Sequence, residues 1–231
     1  MSRVIAVVEG QTEQDFVRDL LSPWLAAKGV YIFPRLVGKP GHKGGVGEYE
    51  RARRDILLLL KQEQGTTITT MYDFYGMPDS WPGRSQAKTV ALQDKPKIVE
   101  RAIKEDIASR MGPSFDDQRI HPYVQMHEFE ALLFSRPATI CETLLSLESE
   151  PVILAIRKTF STPEDIDDNP ETAPSKRLLR VFPGYQKRLH GLIAVKRMGI
   201  DPLLSECPHF SQWIHTMRGL GEVQTQAQKG E

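Results

Sequence analysis

The stretch Val4–Ile5–Ala6–Val7–Val8–Glu9–Gly10, VIAVVEG, decides how the rest of the chain is read. Five consecutive apolar residues without alternation are the pattern of a strand covered on both faces, and such strands belong to parallel sheets. A parallel sheet needs a crossover after each strand. One follows here: Phe16, Val17, Leu20, Leu21, Trp24 and Leu25 recur at helical spacing until Gly29. Thr12 and Asp15 are spaced as a capping box, and Pro23 is expected to kink or divide the helix.

The alternation continues beyond this unit. VYIFPRLV reads as a second strand that ends early or lies at an edge, because Pro34 removes a backbone donor. A glycine-rich loop, GKPGHKGGVG, leads to a charged helix from about Glu48 to Gln64, and TITTMYDF reads as a third strand. After the break at YGMPDSWPG, a helix through PKIVERAIKEDIASRM and a fourth strand within RIHPYVQM complete the series. Strand and helix in turn predict an α/β fold, a parallel sheet flanked by helices. From Pro137 onward the texture changes to short helices between proline-bearing loops. The expected division is therefore an α/β core over 1–136, a helical extension packed on it over 137–220, and a flexible polar tail over 221–231.

Composition narrows the function classes. The 231 residues carry 30 basic and 30 acidic side chains, so no global field draws the protein to nucleic acid or to an anionic membrane. Any such binding rests on local patches. Cys141 and Cys207 are too few and too far apart for a disulfide framework or a thiolate zinc site, and a reducing cytoplasm is the expected compartment. The apolar run near the N-terminus is too short for a signal-peptide core or a membrane span.

Ligands of parallel sheets gather outside the carboxyl ends of the strands. Glu9 ends the first strand and Asp73 the third, so the two carboxylates can meet one hard cation such as Mg²⁺, with Mn²⁺ as the alternative. HEFEALLF adds His127, Glu128 and Glu130. On an α-helix the two glutamates point about 200° apart, so one serves the site while the other caps or pairs at the surface. Glu128 is the expected metal ligand and catalytic group, with His127 and Glu13 as orienting groups. No second histidine stands at ligand spacing to support zinc. Lys39, His42 and Lys43 in the glycine-rich loop, and Arg177 and Lys187 further on, are the expected phosphate contacts. The loop lacks Walker spacing.

The motifs VEGQTE, YDFYG, HEFEALLFS and PETAPSKR, in this order, resemble a TOPRIM-like family known as a domain of unknown function. That family is in turn similar to the OLD-type nucleases and to the domain shared by topoisomerases and primases. The resemblance gives Glu9 an acid–base or metal role and Asp73 the role of the leading aspartate of an Asp-x-Asp pair. Position 75, where the second aspartate would stand, is Tyr75. Glu128 is the expected replacement, and Lys176 or Lys187 the phosphate-facing lysine, with Lys176 counted among the catalytic groups.

These features lead to a Mg²⁺-dependent nuclease, or a related phosphoryl-transfer enzyme, with nucleic acid as partner. The resemblance adds a role as effector of a prokaryotic defence pair and a separately encoded ATPase partner. Two other classes compete. Tyr75 favours a non-catalytic TOPRIM-like binding or regulatory module. A small-molecule hydrolase using His127 requires a deep apolar pocket beside that histidine.

Overall fold

The computed structural model describes residues 2–37, 48–167 and 169–227. Five strands form one parallel arrangement: β1 (Ser2–Val8), β2 (Val30–Leu36), β3 (Thr67–Asp73), β4 (Ile120–His121) and β5 (Val124–Gln125). The order is β2-β1-β3-β4, with β5 also paired to β3, and every pairing is parallel. The fold is the α/β sheet flanked by helices that the sequence predicts.

The unbroken apolar character of β1 has a direct cause. Val4, Ala6 and Val8 enter one hydrophobic core, and Ile5 and Val7 enter another on the opposite face. The second core is closed by α3 (Tyr49–Gln62), the short α4 (Arg84–Ala87) and α5 (Lys95–Met111), through Ile56, Leu60, Ala87, Val99 and Ile103. The first is closed by the crossover after β1 and by the C-terminal helices, which supply Phe16, Leu21, Leu178, Phe210 and Trp213. The helical extension thus shares its core with one face of the sheet.

The crossover after β1 runs as α1 (Gln11–Phe16), a π-helical turn (Val17–Leu21) and α2 (Ser22–Ala26). Pro23 divides it as expected. The widened turn lies immediately ahead of the proline, and the Ser22 N–H bonds back to Val17 O, so the backbone accommodates the missing donor. The capping box is not formed. Gly10 is the N-cap, Thr12 is buried within the first turn, and Asp15 is taken up by ion pairs to Arg18 (2.8 Å) and Arg188 (2.9 Å). β2 continues through Pro34 to Leu36 and is the edge strand, where a missing donor costs no ladder bond.

Pro122 splits the fourth strand into β4 and β5, and threonines of β3 bridge the break. The Thr70 hydroxyl donates to Tyr123 O (2.8 Å) and accepts from Tyr123 N–H (2.9 Å). The Thr69 hydroxyl donates to His121 O (2.6 Å) and accepts from Trp213 Nε1 (2.8 Å), which ties the last helix to the sheet.

Beyond β5 the described residues contain helices and turns: α6 (Pro137–Thr143), α7 (Glu150–Lys158), α8 (Pro174–Val181), a π-helical turn (Lys187–Gly191) leading into α9 (Leu192–Met198), α10 (Asp201–Glu206) and α11 (Pro208–Ala227). α11 continues past Gly221, where a polar tail is expected to begin. Gly221 explains part of this: a Cβ there would lie 2.8 Å from Lys28 O, so only glycine lets the helix pass so close to the turn before β2.

Thr70→Val removes the hydroxyl while keeping the shape, leaving both backbone groups of Tyr123 without their partner. The expected loss is about 1–3 kcal/mol in urea unfolding, with Thr70→Ser close to wild type. Equal stability of all three proteins would show that the bridge across the Pro122 break does not matter.

Candidate functional site

The site lies at the carboxyl end of the sheet, where three chain segments bring buried carboxylates to one ammonium. Lys187 Nζ is 3.1 Å from Asp73 Oδ2, 3.3 Å from Glu130 Oε2 and 3.4 Å from Glu13 Oε1. Asp73 ends β3, Glu13 lies in the first turn of α1, and Glu130 lies in the 3₁₀ helix Phe129–Ser135 that follows β5. Lys187 opens the π-helical turn ahead of α9. All three acids are almost fully buried.

Local geometry explains how the acids reach this point. A Cβ at Gly10 would lie 2.7 Å from Glu13 Oε2, so glycine leaves the space into which Glu13 folds back over the end of β1. Glu9 reaches sideways instead. Its Oε2 accepts the Asp73 N–H at 3.1 Å, bracing the ends of β1 and β3 against each other. His127 is buried at positive φ (60°), an uncommon conformation for a side-chain-bearing residue, and its carbonyl accepts the Tyr75 N–H at 2.7 Å. That left-handed residue turns the chain from β5 into the segment carrying Glu128 and Glu130.

Burial dominates the electrostatics. It pushes Asp73 well above the ordinary carboxylate range; Lys187 opposes this, and the charges of Glu13, Glu9 and Glu130 add to it. Burial also raises Glu130, again against Lys187 and with the help of Glu128. Desolvation works against the charge of Lys187, but Asp73, Glu130 and Glu13 outweigh it and hold the ammonium well above the ordinary lysine value. One positive charge does not satisfy three acids: Asp73 Oδ1 and Glu130 Oε1 are buried and accept no hydrogen bond. Among the described residues no three acidic, histidine or cysteine side chains form a ready-made metal cage.

The structure sorts the expected residues. Glu9, Asp73, Glu13 and Lys187 are brought together. Of the two glutamates in HEFEALLF, Glu130 joins the ammonium, whereas Glu128 accepts from Ser175 N–H (2.9 Å) and Ser175 Oγ (3.0 Å) at the start of α8. The expectation named Glu128 as the metal ligand, and the geometry puts Glu130 there instead, because Glu128 is taken up by Ser175, 47 residues away. Lys176 is exposed on α8, so Lys187 supplies the cation of the cluster. Arg177 closes its own loop, donating to Thr172 O (2.6 Å) and Asp167 (3.2 Å) over the Phe160 ring. Lys39, His42 and Lys43 lie outside the described residues. Tyr72, Phe74 and Trp81 are buried in the core.

Fold and site together define a parallel α/β protein with an acidic cluster at its strand ends. The chain belongs to the family described as Domain of unknown function (DUF4276), whose model matches residues 8–218. None of the curated proteins matches it. Among solved structures, the C-terminal region of the Xanthomonas campestris pv. campestris OLD protein is similar over 98% of each chain, with 13% identity and a TM-score of 0.45. No helix of the described residues is long and apolar enough to cross a membrane.

Because Asp73 and Glu130 titrate above their ordinary range, the stability they give is full at low pH and fades as pH rises through their native values. Glu130→Gln cannot ionise. Thermal melts of the metal-free protein should therefore agree for wild type and variant near pH 4, an ordinary carboxylate value, and diverge above it, the variant melting higher at neutral pH. Parallel curves at every pH would contradict a strained carboxylate cluster.

Proposed function

We propose that this chain is a Mg²⁺- or Mn²⁺-dependent phosphodiester hydrolase acting on nucleic acid, on a TOPRIM-like arrangement of strand ends. The observation that carries this reading is the convergence of Asp73, Glu13 and Glu130 on one point, with Asp73 Oδ1 and Glu130 Oε1 buried and given neither a hydrogen bond nor the ammonium. Buried charges of one sign ordinarily require pairing or a metal. The donor set is all carboxylate oxygen, which suits a hard cation and not zinc. The sequence resemblance to OLD-type nucleases supports the same class and adds a separately encoded ATPase as partner in phage defence.

In this reading Asp73, Glu13 and Glu130 hold the cation. When bound, it supplies an activated water and offsets charge on the phosphoryl oxygens. Glu9 fixes the end of β3 through the Asp73 amide and so sets where the Asp73 carboxylate points. Lys187, on a flexible stem and partly open to solvent, is the group suited to meet a phosphate oxygen. Glu128 holds the start of α8 against the segment that carries Glu130.

The non-catalytic reading has its own support. Tyr75 stands half-buried where a second aspartate would bind metal, and its N–H is committed to His127 O. The hydrolase reading built on His127 has less, because that histidine is not among the residues lining two cavities edged by charged groups. One, of about 660 Å³, lies along Arg51, Arg54, Lys61 and Arg110; the other, of about 630 Å³, is bordered by Lys97, Glu164 and His209.

Cleavage of DNA and RNA by the purified protein, alone and with the product of the neighbouring gene, separates these readings. Mg²⁺- or Mn²⁺-dependent cleavage is expected, with Asp73→Asn and Glu13→Gln lowering the rate at least about 100-fold, the scale of losing a key electrostatic group. Activity unchanged in both variants would remove the site. Absence of cation binding at low millimolar concentration, with and without nucleic acid, would select the binding module.

A further inference from the structure

We propose that Lys187 is an internal stand-in for the divalent cation: its ammonium fills the carboxylate cluster until the cation displaces it, so that cation binding and release of Lys187 are one event. This rests on the metal-dependent reading above and concerns what keeps the site in its resting form.

Three observations carry it. The first is charge. Three almost fully buried acids face a single ammonium, and Asp73 Oδ1 and Glu130 Oε1 have no hydrogen bond, so a doubly charged ion answers a demand that Lys187 meets in part. The second is spacing. The carboxylate oxygens stand 3.1–3.4 Å from Nζ, whereas Mg²⁺ takes oxygen at about 2.0–2.1 Å. The acids stand at ammonium distance from one point, and no ready-made cage is formed among the described residues. An ion can draw them in only after the ammonium has left the same space.

The third is a path. The Lys187 side chain is 38% exposed while those of its three partners are 8% exposed or less, so its stem reaches solvent and the buried ammonium lies at its inner end. Its neighbour stays behind. Arg188 is fixed to Asp15 at 2.9 Å and to Gln11 at 2.5 Å, which keeps the turn docked on α1 whichever way Lys187 points. Lys187 is also the first residue of a π-helical turn, a feature concentrated at functional sites.

Calorimetric titration of Mn²⁺ and Mg²⁺ into wild type, Lys187→Met and Lys187→Arg tests the proposal without reference to activity. Removing the competing ammonium should tighten Mn²⁺ binding on the order of tenfold in Lys187→Met, a difference of about 1.4 kcal/mol. Lys187→Arg, whose planar guanidinium pairs carboxylates in a fork, should bind more weakly than wild type. If wild type binds and Lys187→Met binds equally or less tightly, the stand-in role is wrong while the metal site survives. If neither binds, the metal reading itself fails and the stand-in role with it. Should Lys187→Met not fold, wild type suffices: saturating Mn²⁺ should raise the rate at which an amine-directed reagent modifies Lys187, measured by peptide mass spectrometry. An unchanged rate overturns the proposal.

Discussion

The contact between the Lys187 ammonium and the carboxylates of Asp73, Glu13 and Glu130 is the constraint around which the two halves of the chain are arranged. A parallel sheet brings its strand ends to one edge, and here that edge gathers acids whose burial disfavours their charge. The cation that faces them, Lys187, comes from the helical part of the chain. Lys187 and Arg188 are adjacent and divide the work. Arg188 ties the turn to Asp15 and Gln11 on α1, and Lys187 enters the cluster.

The hydrophobic core follows the same logic. The face of β1 that presents Val4, Ala6 and Val8 is covered by residues from α1, the 3₁₀ helix after β5, and α8 to α11, so the helices that deliver Lys187 are those that bury this face. The opposite face is covered by α3, α4, α5 and the segment between β3 and α4. Removing the C-terminal helices would expose one side of the sheet and leave three buried acids without a counter-ion. Site and stability therefore depend on the same packing.

Much of this was legible in the sequence, and the parts that were not have physical reasons. VIAVV gave away a strand buried on both faces, because periodicity reports burial directly. The placement of Glu9 and Asp73 at neighbouring strand ends was legible because each follows a buried strand, and Pro34 marked the edge because a missing donor is tolerated there. The choice between Glu128 and Glu130 was not legible: it turns on Ser175, distant in sequence, which takes Glu128 as the cap of α8. Nor was the role of Glu13, which depends on space that only the Gly10 backbone leaves open. Lys187 stood among several basic residues in one helical stretch, and only the docking of α9 on α1 distinguishes it from Lys176. The apparent capping box of Thr12 and Asp15 failed for a related reason, since Asp15 is claimed by two arginines, one of them from the far end of the chain.

The most direct measurement of the central claim is a crystal structure of the protein soaked in Mn²⁺, with the ion located by its anomalous scattering. The account predicts a peak bounded by Asp73, Glu13 and Glu130, with the carboxylates drawn inward and the Lys187 ammonium turned out toward solvent. A peak elsewhere, or no peak with Lys187 still seated among the three acids, would contradict it.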